Sequence, residues 1–230
     1  AAALNQTRVL MELNKLLRED NIVAASGSLP SDLERVWTAR RPGAYHLEYG
    51  FSCMGYEVSG ALGVKLADPE HEVYAFVGDG GFLMGHSDLL TSIQEGHKIN
   101  VLLFNNSGHQ CIHNLERSQG MGTFGTEFRF REQSTGGLTG GYVPVNYAKL
   151  ASAYGVKTWR VTTLTELHAA IEASKQSDVS TLIEIMVLPG TMTEGYENFW
   201  RVGTASVAEK EYVRKAYEKL NDVVKNLRKY

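Results

Sequence analysis

Two short polar motifs sit directly behind two apolar runs. Val73-Tyr74-Ala75-Phe76-Val77 leads into Gly78-Asp79-Gly80-Gly81, and Ile99-Asn100-Val101-Leu102-Leu103-Phe104 leads into Asn105-Asn106. Each run has the length and the β-branched and aromatic content of a buried strand. Asn106 follows Asp79 by 27 positions, and the stretch from Leu83 to Glu95 between them reads as a crossover helix. A strand, helix, strand unit of this kind joins parallel neighbours, so both motifs arrive at the same edge of one sheet. Asp79 and Asn106 offer hard oxygen ligands, suited to Mg²⁺ or Ca²⁺ and poorly suited to zinc or copper. Gly80 and Gly81 leave backbone N–H groups open to a phosphate at a helix start. The implied chemistry is a divalent cation with a diphosphate at a strand edge.

The rest of the chain keeps the same alternation. Leu4 to Arg18 reads as an amphipathic helix through Leu10, Leu13, Leu16 and Leu17, and Asn21 to Ala25 as a short strand. Ser26 to Pro30 is a turn, with Ser31 or Asp32 capping the helix that follows. Gly50 to Ala67 passes from a glycine-containing loop into a small-residue helix that Asp68-Pro69-Glu70 ends. A helix is expected over Gly108 to Arg117, another over Asn146 to Tyr154, a strand over Val156 to Val161 and a helix over Leu164 to Lys175. Thr181 to Val187 is the last strand. Val207 to Leu227 is a final helix with Val213, Ala216, Leu220 and Val224 on one face. Between Gly120 and Gly141 the pattern breaks: seven glycines and two arginines with no clean period read as a long loop over the site. The predicted class is α/β, a doubly wound, mostly parallel sheet with helices on both faces, forming one domain over residues 1–230.

Charge and cysteine usage narrow the partners. The 23 Lys and Arg residues against 26 Asp and Glu leave a net charge of −3, without the basic stripe that nucleic acid requires. No apolar run has the length of a membrane span and no signal peptide opens the sequence, so no membrane partner is expected. Cys53 and Cys111 are isolated thiols, which suits a reducing, cytoplasmic compartment. Cys53 is expected to be buried and inert. His109 and His113 would share a helical face, but Cys111 between them would point away, which argues against zinc. A nucleotide-binding Rossmann domain is disfavoured because its glycine fingerprint and ribose-binding acid are missing.

The paired motifs resemble the signature of thiamine-diphosphate enzymes, a GDG followed later by NN. That resemblance implies thiamine diphosphate and Mg²⁺ as cofactors, with Asp79, Asn106 and the backbone carbonyl of Gly108 as metal ligands. It extends over nearly the whole chain, which is similar to the C-terminal, diphosphate-binding domain of the acetolactate-synthase-like enzymes. Asn21-Ile22-Val23-Ala24-Ala25-Ser26-Gly27-Ser28 matches that domain's first strand and phosphate-facing turn, implicating Gly27 and Ser28. In Phe51-Ser52-Cys53-Met54-Gly55-Tyr56, Met54 matches the residue that props the bent cofactor. With Gly78, Gly80 and Gly81, these complete the implied cofactor contacts.

Within the family, Tyr45 to Val58, Ser92 to Gly96 and Gly120 to Arg129 resemble the branch that hydrolyses a ring C–C bond of a cyclic 1,2-dione in inositol catabolism. An acetolactate synthase or related decarboxylase, and a cofactor-binding fragment without activity, are the alternatives. His109 and Gln110 depart from the residues expected after the second motif. His109, Glu127, Arg129 and Arg131 are candidates for contact with a polyhydroxylated substrate. The family's activating glutamate lies on a separate pyrimidine-binding domain, and neither Glu48 nor Glu57 matches it. The resemblance therefore implies a partner: that domain, from the same or a neighbouring subunit of a homo-oligomer. The faces that meet it, including Gly50 to Met54, are expected to be exposed and, with Gly120 to Gly141, mobile.

Overall fold

Along Val73–Gly78 (β3) the side chains alternate between two cores. Tyr74 and Phe76 enter one, and Val73, Ala75 and Val77 enter the other. Asn100–Asn105 (β4) repeats this, with Leu102 and Phe104 on the first face and Val101 and Leu103 on the second. Strands buried on both faces belong to parallel sheets covered by helices on both sides. The computed structural model, which describes residues 4–191 and 203–226, has such a sheet. Asn21–Ala24 (β1), Tyr45–Leu47 (β2), Lys157–Val161 (β5) and Thr181–Met186 (β6) complete its six described strands, all parallel in the order β2-β1-β3-β4-β6-β5.

Gln6–Leu16 (α1), Leu29–Val36 (α2) and Leu164–Lys175 (α8) bury leucines, Val9 and Ile171 on the first face. Tyr56–Ala67 (α3), Asp79–Gly85 (α4), Asp88–Glu95 (α5) and Tyr147–Ser152 (α7) cover the second. Gln110–Ser118 (α6) and Glu211–Lys225 (α9) complete the described helices. Local chemistry sets several starts: Asn5 caps α1 and Asn146 caps α7, while Thr163 and Glu166 form a reciprocal capping box on α8.

Four elements differ from the sequence expectation. The crossover between β3 and β4 is two helices rather than one, and the first begins at Asp79 itself. The break follows Gly85, which packs on the backbone of Gly55 so closely that an added Cβ would lie 2.4 Å from the Gly55 carbonyl oxygen. Helix α2 starts at Leu29, so Ser31 and Asp32 are buried inside it instead of capping it, and Pro30 sits in the first turn where its missing N–H does no harm. The short edge strand β2 went unread, because three residues carry too little periodicity. In α9 only Val213 is buried and Val224 is exposed; Leu227 lies outside the described residues.

The order of strands positions the site. From β1 the chain moves outward to β2, then returns to β1's other side for β3. The winding therefore reverses between β1 and β3, and the carboxyl ends of these strands flank the crevice where ligands bind in open α/β sheets. Replacing a central residue should be costly: Leu102→Ala is expected to lower stability by about 2–5 kcal/mol in urea unfolding, and a loss below about 1 kcal/mol would contradict its complete burial.

Candidate cofactor site

Three strand ends converge on one cavity of about 360 Å³. β1 contributes Ser26, Gly27 and Ser28; β3 contributes Gly78, Gly80 and Gly81; β4 leads into Asn106, Gly108 and His109. Met54 closes part of the rim and is 41% exposed.

Asp79 lies beneath this surface with no solvent exposure. Its Oδ1 accepts from the Gly80 N–H at 2.9 Å, and its Oδ2 accepts from the Gly108 N–H at 3.0 Å. Burial pushes its carboxyl up to about 7, while the backbone N–H groups of Gly80 and Gly108 oppose the rise. The two asparagines behind β4 divide their work. Asn105 is committed to the protein: its Nδ2 donates to Glu184 Oε1 at 2.8 Å and its Oδ1 accepts from the Ser107 N–H at 3.2 Å. Asn106 is also buried, but its Oδ1 meets no donor among the described residues. A buried amide oxygen without a partner is costly in a folded protein. Together with the Asp79 carboxylate and the Gly108 carbonyl it makes a set of hard oxygens that suits a divalent cation such as Mg²⁺.

Gly108 is required where it stands. Its φ is +154°, and an added Cβ would lie 2.5 Å from the Thr126 carbonyl oxygen. The closeness arises because 107–109 pairs with the Gly120–Gly141 segment. The His109 N–H donates to Thr126 O at 2.7 Å, the Phe128 N–H donates to Ser107 O at 2.9 Å, and Gly108 bridges Glu127. The long loop therefore braces the second motif, and none of its residues lines the cavity.

Glu127 and Arg129, read as candidates for substrate contact, are held by their neighbours. Glu127 accepts from Arg129 Nε at 2.8 Å and from the Tyr142 hydroxyl at 2.6 Å. The Arg129 guanidinium lies 3.9 Å from the centre of the Tyr142 ring and donates to Gly140 O at 3.0 Å. Burial alone would raise the Glu127 carboxyl, but the bonds from Arg129 and Tyr142 hold it at about 2. Arg131 likewise donates to Gly136 O within the loop. His109 does line the cavity. Its ring covers Gly80 so closely that a Cβ there would lie 2.3 Å from Nδ1, and it meets Phe128 edge-on at 5.3 Å. His113 turns to Thr126 Oγ1 at 3.2 Å and Cys111 sits beside Gly27, and among the described residues no three His, Cys, Asp or Glu side chains gather as a metal site would need.

Some site features had no sequence signal. Gln6, from the opening helix, reaches the cavity and donates from Nε2 to both Ser28 Oγ and Asp32 Oδ2, each at 2.9 Å. Glu48 accepts from the N–H groups of Phe51 at 3.1 Å and Cys53 at 2.8 Å, which curls the Met54 loop outward. Phe51 is 90% exposed as a result, and Cys53 is exposed rather than buried.

A doubly wound parallel sheet with a buried aspartate and an asparagine whose buried side-chain oxygen has no donor among the described residues, both at its carboxyl edge, has the form of an α/β ligand-binding domain. The chain belongs to the thiamine pyrophosphate enzymes: residues 25–185 match the family's C-terminal TPP binding domain. It is 56% identical over 227 residues to a 3D-(3,5/4)-trihydroxycyclohexane-1,2-dione hydrolase 2 of Bacillus cereus, covering 98% of this chain and 35% of that protein. It is also 56% identical over 231 residues to the hydrolase of that name from Clostridium tetani, covering 36% of it. The chain thus spans about a third of the length of these relatives. Among solved structures, a thiamine diphosphate-dependent 4-hydroxybenzoylformate decarboxylase of Rhodococcus jostii RHA1 matches with a TM-score of 0.69 at 20% identity, over 82% of this chain and 33% of that one. Benzoylformate decarboxylase from Polynucleobacter necessarius matches with a TM-score of 0.68 at 19% identity, over 82% of this chain and 34% of that one. Both confirm the fold. Among the described residues no helix is long and apolar enough to cross a membrane.

Two outcomes follow from this geometry. Gly108→Ala should force 107–109 away from 126–128 and speed amide exchange at the His109 and Phe128 N–H groups; wild-type exchange there would contradict the close approach. The Glu127 carboxyl is depressed in the folded chain, so its clasp contributes stability that is full above the ordinary glutamate range near 4.5 and lost as pH falls toward 2. Side-chain NMR should show Glu127 still ionised at pH 4; protonation there would refute the clasp.

Proposed function

We propose that this chain is the metal- and diphosphate-binding part of a thiamine-diphosphate- and Mg²⁺-dependent hydrolase. Its substrate would be trihydroxycyclohexane-1,2-dione, one ring C–C bond of which is cleaved with addition of one water to give 5-deoxyglucuronate in inositol catabolism. The observation that carries the cofactor reading is the buried, unpartnered Asn106 Oδ1 beside the buried Asp79 carboxylate. The substrate reading rests on the names of relatives 56% identical over nearly the whole chain.

Asp79, Asn106 and the Gly108 carbonyl would hold the cation, whose charge offsets that of the diphosphate. The Gly81 backbone N–H and the turn at Gly27 and Ser28 would meet the phosphate oxygens, because the Gly80 N–H, expected from the sequence to be open, is already donated to Asp79 Oδ1. The Gln6 amide already donates to Ser28 Oγ, so the Ser28 hydroxyl proton is left to donate into the cavity. Met54 would brace the cofactor's bend, and His109 would form part of the wall facing substrate. Bound thiamine diphosphate supplies a carbon nucleophile and an electron sink for the cleaved bond. The activating carboxylate would come from the pyrimidine-binding domain of the same or a neighbouring subunit, in a homo-oligomer. The backbone of Thr126 to Phe128 would hold the Ser107–His109 turn in place, with Arg129 fixing Glu127.

Two measurements on the full-length protein test the reading. Asp79→Ala should abolish Mg²⁺-dependent binding of thiamine diphosphate in calorimetry, a loss larger than the roughly 10- to 100-fold typical of supporting residues, with the fold retained. Unchanged binding would sink the metal assignment. The enzyme should also prefer the cyclic dione to pyruvate in kcat/KM, because each hydroxyl left unmatched in a buried polar site costs about 1–3 kcal/mol. A preference for pyruvate would overturn the substrate and leave the cofactor site standing.

A further inference from the structure

Glu57 is wholly buried in the first turn of α3 and takes no part in the site as described so far. Its Oε1 accepts from the Ser26 N–H at 3.1 Å and from the Ser26 hydroxyl at 2.7 Å. Its Oε2 accepts from the Gly55 N–H at 2.9 Å. A Cβ built on Gly81 would stand 3.7 Å from Oε1. One carboxylate thus joins the turn that ends β1 to the loop that carries Met54, directly under the glycines that follow β3. Both ends are firmly seated. Gly55 adopts a φ of +92° against the backbone of α4, and Ser26 is buried two residues beyond the end of β1. Helix α3 does not need Glu57 to stay in place, because Val58, Ala61 and Leu62 anchor it in the second core. Burying a carboxylate is unfavourable unless donors surround it, and here all three come from the two segments it connects.

We infer that Glu57 is a positioning residue, a strut that sets the Met54 loop at a fixed distance from the Ser26–Ser28 turn across the floor of the cavity. This rests in part on the proposed cofactor reading, since the two segments it spaces are the prop and one phosphate contact. Glu57→Gln discriminates between the two ends. The amide oxygen is retained by Ser26, which offers two donors; the amide nitrogen then faces the Gly55 N–H, donor against donor.

The test uses the full-length protein and its Glu57→Gln variant. Without cofactor, amide exchange in a peptide covering Phe51 to Tyr56 should accelerate about tenfold, while peptides over Ser26 and over Val58 to Leu62 keep their wild-type rates. With thiamine diphosphate and Mg²⁺ as probe, affinity should fall by about tenfold at a temperature where both proteins are folded. Unchanged exchange at Phe51 to Tyr56 overturns the strut. Equal acceleration at all three peptides does too, since that is general loosening. Wild-type affinity in a variant whose loop has been released also overturns it. If the wild-type protein itself does not bind thiamine diphosphate, the cofactor reading fails and the exchange pattern alone decides the strut.

Discussion

A carboxylate with no exposure to water stands at the end of β3 and accepts a hydrogen bond from a backbone N–H beyond the end of β4. That Asp79–Gly108 contact, 3.0 Å long, depends on strict parallel register, in which Gly78 pairs with Phe104. It also depends on residues without side chains. A Cβ at Gly80 would strike the His109 ring, and one at Gly108 would strike the backbone of 126 and 127. Burial raises the carboxyl, and two N–H donors partly offset that cost. Beside it, among the described residues, the buried Asn106 side-chain oxygen meets no donor, and a buried polar atom left so is costly in a folded protein.

Two buried glutamates flank this centre and hold its two sides. Glu57 ties the end of β1 to the Met54 loop. Glu184, on β6, accepts from Asn105 Nδ2 and from the Ala148 N–H at 3.1 Å, fixing the first asparagine of the pair so that only the second is left with an unpartnered oxygen. Each is fully buried and each connects segments distant in sequence. The Gly120–Gly141 segment adds a third support through its pairing with 107–109. The cavity is lined by glycines and serines at the strand ends and by larger neutral side chains such as Tyr49, Met54 and Phe104, while the carboxylates that shape it work from outside its surface.

Much of this was legible in advance because strongly periodic segments report their own surroundings. The helix expected over Leu164 to Lys175 has those bounds in the structure, where a Thr163–Glu166 capping box fixes its start. β3 and β4 announced themselves as continuous apolar runs. What failed was decided by contacts across the chain. The break between α4 and α5 depends on Gly85 meeting Gly55, 30 positions earlier. The outward curl of the loop at Cys53 depends on the Glu48 carboxylate turning toward the backbone ahead of it. Arginines in a glycine-rich loop carry no mark that tells a clasp to Glu127 and Tyr142 from an open hand toward substrate.

By itself the sequence determined the alternating elements, the parallel pairing of the two motif-bearing strands and the presence of an aspartate and an asparagine at their ends, because periodicity, crossover length and side-chain chemistry are local properties. Only the tertiary structure decided which asparagine keeps an unpartnered oxygen, that the winding reverses between β1 and β3, that Gln6 reaches the cavity and that Glu57 joins Ser26 to Gly55. Those outcomes depend on which distant groups compete for the same hydrogen bonds and the same space. That competition exists only once the sheet has brought them together.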